Sequence, residues 1–332
     1  MDVVTLPIKH ILDPDQYIYA GWGLMIVLTL VAALVVRFSR RLWLRLLAVI
    51  PVVAGWFVFL YGTYVGFYEF EVRHIELAFD DLPSAFDGYK IVQWSDAHVG
   101  TLTGNRQQIL QRAIDSINAQ KADLVVFTGD LQNKQSKEIE PFRELLSSIK
   151  AKDGVVSVLG NHDYPVYYTD VDEFERYADL GRRCSIDEDL GWRLLRNNHI
   201  TIRRGADHII VAGMEDDGDG KRFPQLGNIQ EALWGVNRSE FVVMLEHDPS
   251  AWRRKILPHS HAQLTLSGHT HAMQFALFGW SPVTFLYKES WGLYRMNQRA
   301  IYVSKGLAGV TPIRFGTPGE IVVITLKLKI EH

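Results

Sequence analysis

Apolar residues gather in two long uncharged runs near the start of the chain and in short β-branched blocks after them. The first run is YIYAGWGLMIVLTLVAALVV, from Tyr17 to Val36. The second is LLAVIPVVAGWFVFLYGTYVGF, from Leu46 to Phe67. As helices rising about 1.5 Å per residue, each is long enough to cross roughly 30 Å of hydrocarbon. Uncharged runs of this length are uncommon in soluble cores. They predict two transmembrane helices, over 17–36 and 46–67, inside an N-terminal anchor of residues 1–70. Pro51 falls near the start of the second run, where a missing N–H costs little. Trp22, Trp43 and Trp56, with Tyr17, Tyr19, Tyr61, Tyr64 and Tyr68, are candidates for interfacial aromatic belts.

The pattern changes in residues 71–332. KIVQWSDAHVG (Lys90 to Gly100) reads as a short strand running into a loop. Ile109, Leu110, Ala113, Ile114 and Ile117 then recur at helical spacing. ADLVVFTGD (Ala122 to Asp130) is a second strand, Ile139 to Ile149 a second helix, and GVVSVLGNHD (Gly154 to Asp163) a third strand. This βαβ series predicts a parallel sheet. Residues 164–225 read as irregular and include the acidic run Met214 to Gly220, in which Glu215, Asp216 and Asp217 read as an exposed turn, with a wall of a substrate groove as the alternative. EFVVMLEHDP (Glu240 to Pro249) and HAQLTLSGHTH (His261 to His271) repeat the pattern of strand, then histidine. AIYVSKGLAG and GEIVVITLKLKI supply further strands.

Charge adds orientation and removes some functions. The net charge of −3 gives no global basic field, so nothing indicates nucleic acid. The single cysteine, Cys184, excludes a disulfide framework and a cysteine-rich zinc site. Arg37, Arg40, Arg41 and Arg45 lie between the two runs, whereas only Lys9 precedes the first, and Arg73 beside Glu69 and Glu71 follows the second. The positive-inside rule makes the arginine loop cytoplasmic. An integral cell membrane protein is expected, its lipid bilayer partner crossed by two helices and residues 71–332 on the extracytoplasmic side. Asp13 and Asp15 stand where a cleavable signal peptide would carry basic residues, which argues against one.

The strand ends carry the chemistry: Asp96 and His98, Asp130, Asn161 with His162 and Asp163, His247, then His269 and His271. Ligands of open α/β sheets bind outside the carboxyl ends of strands. Carboxylates with imidazoles and no thiolate suit manganese, iron, zinc or cobalt. The set is too large for one tetrahedral ion and fits two. Two ions roughly 3.5–4 Å apart can clamp the attacking and leaving oxygens of an in-line phosphoryl displacement.

In this order the residues resemble the calcineurin-like metallophosphoesterases. The matching motifs are Asp-x-His at 96–98, Gly-Asp at 129–130, Gly-Asn-His-Asp at 160–163, His247, and Gly-His-Thr-His at 268–271. The resemblance covers residues 88–328. Within that family the chain is similar to the small membrane-anchored or exported phosphodiesterase branch, through Leu-Ser-Gly-His-Thr-His followed by Gln274, and through the stretches at 292–294 and 312–316. Ala272 and Met273 stand where that branch usually has Gly-Gly.

The resemblance implies a four-layer α/β/β/α sandwich forming a catalytic domain of residues 71–332, preceded by the two transmembrane helices. It implies two divalent ions, manganese, iron or zinc: one held by Asp96, His98 and His271, the other by Asn161, His247 and His269, with Asp130 bridging. Hydroxide held by the metals would attack phosphorus, and His162 would act at the leaving oxygen as general acid or oxyanion donor. Asp163 reads as orienting the loop or a ligand histidine. His10, His74, His199, His208, His259, His261 and His332 fall outside the pattern. The expected function is a membrane-anchored, dinuclear metal-dependent phosphohydrolase of phosphodiesterase type, acting on a lipid-linked or envelope-associated phosphoester. One alternative is cleavage of the pyrophosphate of UDP-2,3-diacylglucosamine. That substrate is made on the cytoplasmic face, against the arginine-loop orientation. The other is a catalytically silent metal-binding module, which should have lost Asp130 or His162.

Overall fold

The computed structural model describes residues 10–169, 171–220 and 223–329; Lys9 and His332 lie outside them. The first uncharged run forms α1 (Pro14–Phe38) and the second α2 (Leu42–Tyr64). Pro14 occupies the first turn of α1, and Asp13 with Gln16 closes a capping box there, satisfying N–H groups that an open helix end would leave unpaired. Pro51 lies well inside α2 rather than near its start, because the helix already begins at Leu42. Both helices are long and apolar enough to cross a membrane, and only 11% and 6% of their most apolar stretches are buried in protein. A core helix of a soluble protein would hide that surface.

Twelve strands form two six-stranded sheets among the described residues. The first sheet contains β1 (Phe70–Phe79), β2 (Lys90–Trp94), β3 (Leu124–Phe127), β4 (Val155–Ser157), β5 (Trp192–Leu194) and β12 (Gly319–Leu328), in the order β1-β12-β2-β3-β4-β5. Strands β2 to β5 run parallel, as the βαβ pattern predicts, and β12 enters antiparallel to β2. The second sheet contains β6 (Asn198–Arg204), β7 (Asp207–Gly213), β8 (Val242–Leu245), β9 (Leu264–Ser267), β10 (Gly292–Met296) and β11 (Arg299–Val303), in the order β10-β11-β9-β8-β7-β6. Strands β7, β8, β9 and β11 are parallel, and β6 and β10 form the antiparallel edges.

Alternate side chains of the central strands enter different cores. Val126 points between the sheets with Ile91, Val211, Val243 and Leu266. Val125 and Phe127 point outward onto α3 (Gln107–Ala119). The short α4 (Arg143–Ser147) and the longer α5 (Glu173–Asp189) cover the same outer face. The far face of the second sheet is covered by α6 (Ile229–Ala232) and the turn around Trp252 and Ile256. The result is the four-layer α/β/β/α sandwich. Burial on both faces explains why the strands read as continuous Val/Ile/Leu runs. Each fully buried side chain of this kind contributes about 1.5–3 kcal/mol.

Three expectations change. The helix expected over 139–149 is a 3₁₀ segment, Ser136–Phe142, leading into the short α4, because Pro141 removes a helical N–H. The stretch read as irregular holds α5, whose inward face mixes Leu180 and Ile186 with buried Arg183 and Asp187 and so hides its apolar period. The acidic run is no exposed turn: Asp216 and Asp217 are fully buried, and Asp217 pairs with Arg254 and Lys255.

The helix pair touches the sandwich at the start of α1 and at the end of α2. Arg314 N donates to Gly62 O at 3.0 Å, and Phe315 packs edge-on against Phe57 and Tyr61 of α2. At the start of α1, Asp13 pairs with Lys134 and Asp15 with Arg106, at 2.7 and 2.8 Å. Gly66 is pressed so close that an added Cβ would lie 2.2 Å from the Arg314 carbonyl oxygen, a backbone atom that cannot swing aside. Gly66→Ala is therefore expected to cost about 1–3 kcal/mol by overpacking, seen as a lower Tm in detergent. An unchanged Tm would contradict this packing.

Candidate metal centre

Strand ends from both sheets converge. Asp96 follows β2, Asp130 follows β3, Asn161 and His162 follow β4, His247 follows β8, and His269 and His271 follow β9. The backbone turns sharply to aim these side chains: Asp96, His98, Asp130, His269 and His271 all have positive φ, between 41° and 75°. Such conformations strain most L-residues, although Asp and His tolerate them better than bulky residues do, and they cluster where function over-determines the backbone. Close approach does the rest. A Cβ on Gly268 would lie 2.4 Å from Asp96 Oδ2, and one on Gly160 would lie 2.3 Å from Asp130 Oδ1.

One half of the set is tight. Ligand atoms of Asp96, His98, Asp130 and His271 all lie within 4.8 Å of one another, close enough to hold a metal ion. His271 Nε2 is 3.2 Å from Asp96 Oδ1 and 3.3 Å from His98 Nε2. The other half converges on the same carboxylate: His247 Nε2 is 3.2 Å from Asp130 Oδ2, and His269 Nδ1 is 2.7 Å from Asn161 Oδ1. Asp130 Oδ2 also lies 3.5 Å from His98 Nε2, so it touches both halves.

Neighbours fix the ring tautomers. His247 Nδ1 donates to the Thr128 carbonyl at 2.7 Å, and His162 Nδ1 to the Asn133 carbonyl at 2.8 Å. His98 Nδ1 meets Asn133 Oδ1 at 2.8 Å, while the Asn133 amide nitrogen donates to Thr101 Oγ1. Each hydrogen bond turns the ring's Nε2 toward the centre, as oriented metal ligands require. The Asn161 amide nitrogen donates to Tyr167 Oη, which turns its oxygen inward. Asp163 lies behind the centre. It accepts from the N–H groups of Asp130 (2.8 Å), Gly160 (3.0 Å) and Leu131 (3.1 Å), and from Arg183 Nε at 2.8 Å.

The electrostatics are those of ligands packed without counter-charge. Burial lowers His98 to about 3, with His162 adding to it, and lowers His269 to about 4. Burial, His98 and Arg314 together hold His271 well below its usual value. Burial also pushes the Asp96 carboxyl up to about 7, with His247 opposing and Asp130 adding. For His247 burial works against the charged ring, but Asp130, Asp96 and Asp216 outweigh it and raise the pKa well above the ordinary range. Burial likewise opposes charge on Asp130, and His247, His162 and His98 more than compensate, holding it well below. The chain thus supplies oxygen and nitrogen donors, several already deprotonated and facing one another. His247 Nε2 and His271 Nδ1 are buried without a hydrogen-bond partner among the described residues. These residues fit a divalent ion.

Several contributors carry no motif in the sequence. Asn133 serves both His98 and His162; Tyr167 stacks on His162 with ring centroids 3.9 Å apart; Tyr287 Oη lies 2.8 Å from His269 Nε2. Arg183 fixes Asp163 from α5. Asp248 Oδ2 stands 3.5 Å from His269 Nε2. Only Asp248 had a local signal, since it directly follows His247.

Known proteins are similar to this chain over the residues that carry the centre. Residues 89–273 match the model of the calcineurin-like phosphoesterase family. A zebrafish (Danio rerio) transmembrane protein with a metallophosphoesterase domain is 31% identical over 266 residues, covering 77% of this chain and 57% of its own length. The chain thus spans a little over half of that relative. A Bacillus subtilis metallophosphoesterase is 31% identical over 280 residues, covering 80% and 89%. One from Aquifex aeolicus is 28% identical over 267 residues, covering 79% and 94%.

Metal uptake should release protons. Asp130 and Asp96 favour a proton on His247, and Asp96 becomes protonated as pH falls below about 7. Affinity for manganese is therefore expected to fall as pH drops below about 7, because bound protons must leave before the ligands can hold the ion. Calorimetry in buffers of different ionisation enthalpy measures the release. A pH-independent affinity with no proton release would contradict the assignment.

Proposed function

The chain belongs to the calcineurin-like phosphoesterase family and is a metallophosphoesterase, a phosphoric ester hydrolase; from that membership we propose a membrane-anchored, dinuclear phosphodiesterase that acts on a lipid-linked or envelope-associated phosphoester. Residues 1–70 are the anchor and residues 71–332 the catalytic domain. The observation that carries the reading is the meeting of strand ends from both sheets on Asp130. Asp96, His98 and His271 would hold one ion and Asn161, His247 and His269 the other, with Asp130 shared between the two sets. Manganese, iron or zinc suits this donor set. When bound, such a pair supplies Lewis acidity and charge neutralisation to an in-line phosphoryl displacement.

The protein's own groups then have separate tasks. Asp163 and Arg183 hold the Asp130 turn in place. His162 is kept in one orientation by Asn133 and Tyr167, with Nε2 presented to the centre. Burial lowers its pKa, with Asp130 opposing. An anionic phosphoester raises it again, so the ring takes up a proton as substrate binds and delivers it from Nε2 to the leaving oxygen.

Both ends of the anchor that touch the catalytic domain, the start of α1 and the end of α2, lie on one side of the helix pair, and the arginine loop lies at the other. This supports an extracytoplasmic catalytic domain.

The test uses manganese-loaded protein in lipid nanodiscs. Wild type is expected to hydrolyse bis-p-nitrophenyl phosphate and a phospholipid diester. His162→Ala should lose about 10²–10⁴-fold on the alkyl leaving group of the lipid. It should lose much less on p-nitrophenolate, which departs without a proton. No turnover of any soluble or lipid phosphoester by wild type would overturn the function, and equal losses on both substrates would remove His162 as the acid.

A further inference from the structure

A loop leaves the candidate metal centre after His271 and returns to it at Tyr287, whose hydroxyl meets His269. Between these points it carries its apolar side chains outward. Phe278 is 99% exposed, Phe285 80% and Leu286 71%, and Met273, Leu277 and Trp280 are each close to half exposed. Elsewhere on the sandwich, exposed aromatics such as Trp234 and Phe174 are scattered, which is ordinary for a protein surface. Here they share one short segment.

The backbone singles out the same place. Leu277 and Trp280 exchange N–H···O bonds of 2.8 and 3.0 Å around Phe278 and Gly279, both at positive φ (51° and 78°). Such a two-residue turn favours Asn-Gly or Asp-Gly. A bulky Phe at a positive φ, wholly in solvent, is disfavoured on both counts.

Aromatic contacts join the loop to the anchor. Phe275 stacks on Phe315 with centroids 5.8 Å apart, and Phe315 meets Phe57 and Tyr61 of α2 at 6.0 and 5.8 Å. Ala276 N and Phe315 N exchange bonds with the opposite backbone at 2.8 and 2.9 Å. Phe57 lies about 10 Å before the end of α2, at 1.5 Å per residue. The loop therefore flanks the last two turns of a helix that spans the bilayer, where aromatic belts lie. Lys288, exposed and without an ion-pair partner among the described residues, follows Tyr287 and suits anionic headgroups.

We propose that the Met273–Leu286 loop is an interfacial membrane anchor, inserting Phe278, Trp280, Phe285 and Leu286 into the leaflet that receives the end of α2. The mouth of the candidate centre is then held at the lipid headgroups, and the phosphoester reaches it from the leaflet rather than from bulk water. This rests on the membrane-spanning reading of α1 and α2.

The test places an environment-sensitive NBD dye at the loop tip in the full chain. Phe278→Cys is labelled in a Cys184→Ser background and reconstituted into nanodiscs of phosphatidylcholine and phosphatidylglycerol. Gln298→Cys, on the exposed β10–β11 turn away from the metal centre, is the reference. The expected result is a blue-shifted emission at 278, quenched about threefold more strongly by lipids doxyl-labelled near the headgroup than at 298. Equal quenching at both positions, in protein that resists alkaline carbonate extraction, overturns the loop and leaves the helices standing. A blue shift without lipid quenching assigns the face to a protein surface, which also overturns it. Release of the protein by carbonate removes the membrane-spanning reading, and this inference with it.

Discussion

Asp130 is fully buried where the two sheets meet, and its charge is answered from both of them. His98 reaches it from the first sheet and His247 from the second, at 3.5 and 3.2 Å. Its other oxygen accepts the His162 N–H at 2.8 Å, which ties the loop after β4 to the same point. A carboxylate in such a place is costly unless fully satisfied. The buried Asp163–Arg183 pair supports it from behind, gripping the N–H groups of the turn that carries it. Removing either member of that pair would leave a buried charge and loosen the turn, so a helix far from the motifs bears on the centre's geometry.

The helix pair and the centre are close. The start of α1 pairs with Lys134 and Arg106, next to Asn133, which sets the His98 and His162 rings, and to the turn after His98. The end of α2 rests on 313–315, whose Arg314 is fully buried and donates to the carbonyls of Lys305 and Ala308. The two exposed ion pairs contribute little energy on their own. The packing of Gly66 against the Arg314 carbonyl is tighter, because an added Cβ would lie 2.2 Å from that oxygen.

What was legible in the sequence followed from short-range rules. Uncharged length gave the helices, β-branched blocks gave β2, β3, β4, β8 and β9, and polar residues at their ends gave Asp96 to His271 in order. The contributions that escaped come from distant segments. Tyr287 reaches His269 across a loop, and Arg183 reaches Asp163 from a helix whose buried charges mask its period. Asp216 and Asp217 read as surface because acidic runs usually are; burial beside Arg254 and Lys255 reverses that for Asp217. Asp216 keeps both oxygens unpartnered among the described residues. Burial pushes its carboxyl well above the usual range, against His247 and with Asp248, Asp130 and Asp217. Ala272 and Met273 show the limit of reading by resemblance. Both adopt φ of 50°, a conformation glycine takes more freely, so the turn forms here without the residue type that favours it.

The central claim is that one carboxylate joins two metal sites. The most direct measurement is anomalous diffraction at the manganese edge from crystals of the full chain grown with manganese. Two peaks flanking Asp130 are predicted, roughly 3.5–4 Å apart, one among Asp96, His98 and His271 and the other among Asn161, His247 and His269. A single peak, or none within reach of Asp130, would contradict the account.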